Sequence, residues 1–127
     1  MRKNINILIL DDEPIVCDLL ASNLLKKGYE VEMFTDSKAA IDRLGEKRFQ
    51  ILITDLKMSG PKGIDVIHFA KERIPGIKVI VISGYATKEM ANSALAAGAL
   101  RFIPKPFKIR EINKLVADIE AELDDTS

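Results

Sequence analysis

Acidic, hydroxyl and basic side chains stand at or just beyond the ends of four short apolar runs. They are Asp11 and Asp12 after residues 5–10, Asp55 after residues 51–54, Ser83 after residues 79–82, and Lys105 shortly after residues 102–103. Several carboxylates brought together can hold a hard divalent cation, and a carboxylate oxygen can attack phosphorus. These residue types therefore predict magnesium-assisted phosphoryl transfer onto one of the aspartates.

The elements that must position these side chains alternate regularly along the chain. The apolar runs predict strands at residues 5–10, 31–34, 51–54, 79–82 and 102–103, and amphipathic segments predict helices at residues 14–27, 37–44, 64–74, 88–97 and 109–123. Pro14 suits a first helical turn, and Gly28 and Gly98 suit helix ends. Five strand-helix units follow one another.

Strict alternation of strand and helix favours a parallel sheet covered by helices on both faces. Five such units predict an α/β, flavodoxin-like (βα)5 three-layer sandwich with strand order 2-1-3-4-5. Residues 7–10 and 79–82 are apolar throughout, as internal strands require, whereas residues 29–33 alternate as an edge strand would. In this order the first and third strands are neighbours, so Asp11, Asp12 and Asp55 should meet at one edge.

Three carboxylates so close repel one another, and magnesium is the natural neutraliser. Lys105 and the Ser83 hydroxyl could then hold a phosphoryl group during transfer to Asp55, with an acyl phosphate as the product. A structural explanation stands beside this one. Asp12 could simply cap the first helix, with Asp11 solvated.

The sequence strongly resembles the response regulator receiver family from about residue 5 to the last helix. The motifs that carry the resemblance are LILDDEP at 8–14, ITDLKM at 53–58, Gly63, VISGY at 81–85 and FIPKPF at 102–107. The resemblance also makes the Lys105–Pro106 bond a candidate for the cis isomer.

Carried onto this chain, the resemblance implies that Asp55 takes phosphate from a phosphohistidine on a sensor histidine kinase or phosphotransfer protein. The metal ligands would be Asp11, Asp12, Asp55 and the backbone carbonyl of Lys57. Ser83 and Phe102 would form a switch pair that changes the surface of the fourth helix, fifth strand and fifth helix. The chain would not be an enzyme beyond assisting its own phosphorylation and dephosphorylation.

The altered surface would control a downstream effector or an output domain, and a second copy of the chain could pair through it. Residues 82–86 resemble receivers joined to transcriptional activators, which points to transcription regulation. Two positions near Asp55 depart from the family pattern, Ser59 and the pair Pro61-Lys62. Lys57 and Tyr85 are expected near the phosphate, where Lys57 would alter the acyl-phosphate lifetime.

Composition bounds the remaining expectations. At 127 residues and 47% hydrophobic, the chain is expected to be one domain, with a core at about 4–122 and an acidic tail at 123–127. The 19 basic and 19 acidic residues cancel, which argues against direct binding to nucleic acid. The lone Cys17 and Met33 read as core residues, and the absence of a membrane-spanning run favours the cytoplasm.

Three other functions are alternatives to this one. A magnesium-dependent aspartyl-phosphate phosphatase would usually carry a second acid two residues after the nucleophile, where this chain has Lys57. A flavin carrier needs a hydroxyl- and glycine-rich phosphate loop after the first strand, and Asp11, Asp12 and Glu13 would repel that phosphate. A receiver-like binding module that is never phosphorylated is the third alternative.

Overall fold

The computed structural model describes residues 4–58, 62–84 and 87–125. Within these ranges the elements are β1 (Asn6–Leu10), α1 (Pro14–Lys26), β2 (Glu30–Phe34), α2 (Ser37–Glu46), β3 (Ile51–Thr54), α3 (Gly63–Arg73), β4 (Lys78–Ser83), α4 (Lys88–Ala96), β5 (Arg101–Pro104) and α5 (Ile109–Asp125). Every predicted element is present. Ser59, Pro61 and Tyr85, which the sequence singled out, lie outside the described residues.

The strands form one parallel sheet in the order β2-β1-β3-β4-β5, which confirms the predicted topology. Leu10 pairs with Thr54 across β1 and β3. Asp55, the residue that follows β3, is also hydrogen-bonded to β1, since its N–H donates to the Leu10 carbonyl at 3.0 Å. This register brings the residues that follow the two central strands side by side.

Apolar side chains on the two faces of the sheet form separate cores. Leu8, Leu10 and Leu52 pack with residues of α2 and α3 and with Ala94 of α4, whereas Ile7 and Ile9 pack with residues of α1 and α5. Residues 7–10 are fully buried because helices cover both faces of the sheet, and such a strand must be apolar on both faces. The three-layer arrangement is therefore the predicted one.

Helix ends follow the local sequence. Pro14 begins α1, and the Asp36 carboxylate caps α2 by accepting the Ala39 N–H at 3.1 Å. Gly28 and Gly98 adopt φ values of 94° and 111°, which confirms them as helix stops since other residues rarely adopt this conformation. The last helix, α5, extends to Asp125, two residues beyond the predicted end.

Two predicted core residues have different outcomes. Cys17 is buried, and its thiol donates to the Asp11 carbonyl at 3.3 Å, which confirms a packing role. Burial raises the pKa of this thiol to about 11. Met33 is 48% exposed, so its prediction as a core residue was wrong: it lies on β2, an edge strand that α1 covers only partly.

The described helices give no sign of a membrane span. Across residues 4–58, 62–84 and 87–125, none of the helices is both long enough and apolar enough to cross a bilayer.

Candidate functional site

Four carboxylates gather at the carboxyl ends of β1 and β3. Asp11 and Asp55 are buried, at 2% and 6% exposure, while Asp12 and Glu13 are exposed. One oxygen from each of the four can be chosen so that all lie within 4.8 Å of one another. The buried pair comes from the two central strands because the parallel register ends both strands at the same edge of the sheet.

Lys105, from the segment after β5, places its ammonium among these acids. Its Nζ lies 2.8 Å from Asp11 Oδ2, 2.7 Å from Glu13 Oε1 and 3.1 Å from Asp55 Oδ2. The following peptide bond, Lys105–Pro106, is cis, as the resemblance implied. All three ammonium protons therefore have a carboxylate acceptor.

Burial and these contacts move two pKa values. Burial raises the pKa of Asp11 above its ordinary value, although the Lys105 hydrogen bond and the Glu13 N–H act in the opposite direction. Burial alone would lower the pKa of Lys105, but hydrogen bonds to Asp11, Glu13 and Asp55 outweigh it and raise that pKa. The Lys105 ammonium therefore stays charged. Because burial disfavours the charged form of Asp11, a positive charge beside it stabilises its carboxylate.

The backbone around Asp55 is held by three local contacts. The Lys57 N–H donates to Asp55 Oδ1 at 3.2 Å, and the buried Thr54 hydroxyl donates to the Asp55 carbonyl at 2.8 Å. Gly63, the first residue of α3, donates its N–H to the Leu56 carbonyl at 3.0 Å. A Cβ at Gly63 would lie 2.1 Å from the Asp55 carbonyl oxygen, so only glycine fits against this loop.

Ser83 and Phe102 lie on neighbouring strands, on the side of the sheet that faces α4. Ser83 is fully buried at the end of β4, and Phe102 on β5 is partly buried against the core on that side. Val81 pairs with Phe102 and Ser83 with Pro104, so Phe102 lies two residues along the sheet from Ser83 on the same face. Both are thus near α4, of whose residues only Ala94 is buried.

The residues present fit a hard divalent cation. The donors are carboxylate oxygens, two from buried and two from exposed residues, which is the ligand type that magnesium takes in proteins. The groove beside them is lined by Asp12, Glu13, Asp55, Lys57, Gly84 and Lys105. Its solvent side is open, which leaves room for water and a phosphoryl group.

Glu13 is the member of this cluster that the sequence did not assign to the site. It follows Asp11 and Asp12 directly, and that position was its only available signal. Lys105 was expected to contact phosphate. In the structure it contacts Asp11, Glu13 and Asp55, whose carboxylates lie within reach of its ammonium.

Comparison with known proteins agrees with this fold and gives the family. The family model described as the response regulator receiver domain matches residues 7–117. An NtrX-like response regulator of Rickettsia typhi is 37% identical over 105 residues, which are 81% of this chain and 22% of that protein. The transcriptional regulatory protein ZraR of Escherichia coli K12 is 31% identical over 120 residues, 94% of this chain and 26% of ZraR.

Solved structures show the same relationship. A CheY-like response regulator receiver domain protein from Methanospirillum hungatei has a TM-score of 0.92 and 27% identity, covering 98% of this chain and all of that one. The beryllofluoride-activated NtrC4 receiver domain dimer has a TM-score of 0.86 and 28% identity, covering 92% of this chain and 97% of that one.

This chain belongs to the response regulator receiver domain family. Its role is that of a phosphoacceptor domain in signalling. The chain spans about a quarter of the length of the curated relatives it matches.

Proposed function

We propose that Asp55 is the phosphoacceptor and that Asp11, Asp12, Asp55 and the Lys57 backbone carbonyl hold magnesium during the transfer. The observation that carries this proposal is the meeting of two buried carboxylates, from β1 and β3, around a single ammonium and beside an open groove. A buried acid pair of this kind needs a counter-charge. One mobile lysine and one divalent cation supply it.

The reaction follows from the positions of these groups. An oxygen of Asp55 forms a bond to the incoming phosphorus, and the bond from phosphorus to the donor imidazole nitrogen breaks. The electron pair of that bond returns to the imidazole. Bound magnesium would neutralise charge on the transferring phosphoryl oxygens.

Residues of the chain itself orient the acceptor. Lys57 donates its N–H to Asp55 Oδ1, whereas Asp55 Oδ2 accepts a hydrogen bond from Lys105. The ammonium of Lys105 can move from the carboxylates to a phosphoryl oxygen, because a lysine side chain is a mobile point charge. Ser83, at the end of the neighbouring strand β4, would donate its hydroxyl to another phosphoryl oxygen.

A protein phosphodonor fits the surface next to the site. Ile15 and Leu19 lie one turn apart on α1 and are 82% and 53% exposed. The helix begins at Pro14, immediately after the acidic residues, so the apolar pair adjoins the groove. An exposed apolar pair beside the groove suits contact with a protein, and we therefore favour a phosphohistidine donor carried on a sensor kinase or phosphotransfer protein in the cytoplasm.

The proposed output is a change at α4, β5 and α5. Phosphate on Asp55 would draw the Ser83 hydroxyl, and Phe102 would turn into the space that this movement frees. The sparse burial of α4 makes its position easy to shift. The altered face would act on an output domain that regulates transcription, as the name of ZraR states for that protein, or on a second copy of this chain.

The alternatives lack a comparable observation. In the phosphatase alternative the second acid would stand at Lys57, whose side chain is exposed and whose N–H orients Asp55. In the flavin-carrier alternative a phosphate would have to lie against Asp11, Asp12 and Glu13. The unphosphorylated binding module is the alternative that the experiment below tests directly.

The test is incubation with acetyl phosphate and magnesium, followed by intact-mass measurement of wild type, Asp55→Asn and Asp42→Asn. Asp42 is an exposed acid on α2, remote from the carboxyl ends of the strands, and serves as the matched control. We expect one added phosphoryl group in wild type and Asp42→Asn, none in Asp55→Asn, and none when magnesium is removed with EDTA. An unmodified wild type, or a modified Asp55→Asn, contradicts the proposal.

A further inference from the structure

We infer that Glu13 is a positioning residue that anchors Lys105 at the mouth of the site while Asp11 and Asp55 release the ammonium to bind cation and phosphoryl group. The inference rests on the proposed function and adds a fourth carboxylate with a separate role. It is carried by the contacts of one ammonium with one exposed and two buried acids.

The three contacts of Lys105 differ in what the reaction demands of them. Asp11 and Asp55 are buried and are the groups that must bind cation and accept phosphorus. Their bonds to the ammonium, at 2.8 and 3.1 Å, compete with that chemistry. The contact with Glu13, at 2.7 Å, is the one that can persist through it, because Glu13 reaches the ammonium from the solvent side with a side chain that is 61% exposed.

The backbone fixes Glu13 for this role. Its N–H donates to Asp11 Oδ1 at 2.9 Å, so the residue is held beside the buried acid. Glu13 is also the N-cap residue of α1, yet its carboxylate makes no capping hydrogen bond to that helix. Glutamate is not among the residues that favour an N-cap position, and the carboxylate of Glu13 contacts Lys105 instead.

The loss of this anchor has a defined consequence. In Glu13→Gln a neutral amide oxygen replaces the carboxylate, so it holds the ammonium more weakly. The ammonium would then lie mainly with Asp11 and Asp55, deeper in the site, and would be less well placed to meet the phosphoryl group. Phosphorylation at saturating magnesium and donor should slow by about threefold to tenfold, as expected when a positioned charge is misplaced. The magnesium concentration for half-maximal rate should change by less than about twofold, because an anchor for lysine is not a ligand of the cation.

The experiment is a double-mutant cycle on the full chain with acetyl phosphate, which removes any effect of Glu13 on docking of a protein donor. The four proteins are wild type, Glu13→Gln, Lys105→Met and the double variant, each measured for phosphorylation rate against magnesium concentration. Glu72→Gln, an exposed glutamate near the far end of α3, is the matched control. Urea unfolding in EDTA gives a second cycle that does not depend on activity.

The expected result is a rate loss in Glu13→Gln that disappears in the Lys105→Met background. The unfolding cycle in EDTA should show a coupling of at least about threefold in the unfolding equilibrium constant. An equal rate loss in both backgrounds, or a large rise in the magnesium requirement, would show direct contact with cation or donor and overturn the inference. A wild-type rate in Glu13→Gln would overturn it too. Failure of the proposed function looks different, since wild type itself would then not be phosphorylated on Asp55.

Discussion

Replacement of Gly63 by alanine should slow phosphorylation of Asp55 by about a hundredfold while the protein stays folded. Gly63 begins α3 and packs directly on the loop that carries Asp55. A Cβ at this position would lie 2.1 Å from the Asp55 carbonyl oxygen and 2.5 Å from the Leu56 Cα. Both neighbours are backbone atoms, which cannot rotate away as the end of a side chain can.

The magnitude follows from the displacement that alanine requires. Ordinary contact begins at 3.4 Å, so the Asp55 carbonyl must move by the difference from 2.1 Å, about 1.3 Å. The same loop carries the Asp55 carboxylate, the acceptor that we propose, and the Lys57 N–H that donates to it. A misplacement of about 1 Å can cost a hundredfold in rate. Overpacking of this kind costs about 1–3 kcal/mol of unfolding free energy, which a domain with about 5–15 kcal/mol tolerates.

The assay compares wild type, Gly63→Ala and Gly76→Ala. Gly76 lies in the turn between α3 and β4, and a Cβ there meets nothing within 4 Å, so it controls for the substitution itself. Phosphorylation by acetyl phosphate with magnesium gives the rate, and urea unfolding gives the stability of each variant. A Gly63→Ala protein that is folded and phosphorylated at the wild-type rate would refute the reasoning.

Three further predictions concern charged residues. Lys57→Ala should speed loss of phosphate from Asp55 by roughly twofold to fivefold, the range of an exposed charge contact, because water gains access; equal dephosphorylation rates in the two proteins would remove the idea. Magnesium at ten times its Kd should raise the unfolding free energy of wild type by roughly 1.4 kcal/mol. In Asp11→Asn the same magnesium concentration should raise it by much less. An equal rise in the two proteins, measured by urea unfolding, would contradict ligation by Asp11. Glu32 accepts hydrogen bonds from Arg43 and Lys47, and the bond from Arg43 is the main cause of its lowered pKa. These ion pairs therefore stabilise the folded protein above the ordinary pKa of 4.5, and this stabilisation is lost as the pH falls through the lowered pKa. Glu32→Gln should therefore destabilise by up to about 1 kcal/mol at pH 7 and by nothing measurable at pH 2, and a loss that persists in acid unfolding curves would argue against the ion pairs.

The meeting of Asp11 with Asp55 was predictable because it depends on topology. Alternation of strand and helix requires parallel strands, and parallel strands end at one edge of the sheet. Once the order is 2-1-3-4-5, the residues after the first and third strands must be neighbours. Side-chain details were not needed for this step.

The contacts of Lys105 with Glu13 could not be read in the same way. They depend on the path of the segment after β5 and on the rotamers of two long side chains, which the sequence pattern does not report. The tight contact of Gly63 with Asp55 was also hidden, since a glycine at a helix start is unremarkable by itself. Met33 failed for a related reason: alternation showed an edge strand but not how far α1 covers it.

The formal charges at the site explain why the Lys105 ammonium alone does not neutralise it. Asp11, Asp12, Glu13 and Asp55 carry four negative charges and Lys105 one positive charge, which leaves a net charge of −3. A divalent cation reduces this to −1, and an approaching phosphoryl donor then meets far less repulsion. Since two of the four acids are buried, salt screens them poorly, and bulk ions cannot replace the bound cation. The magnesium requirement that we propose therefore rests on the burial of Asp11 and Asp55 as much as on the number of acids.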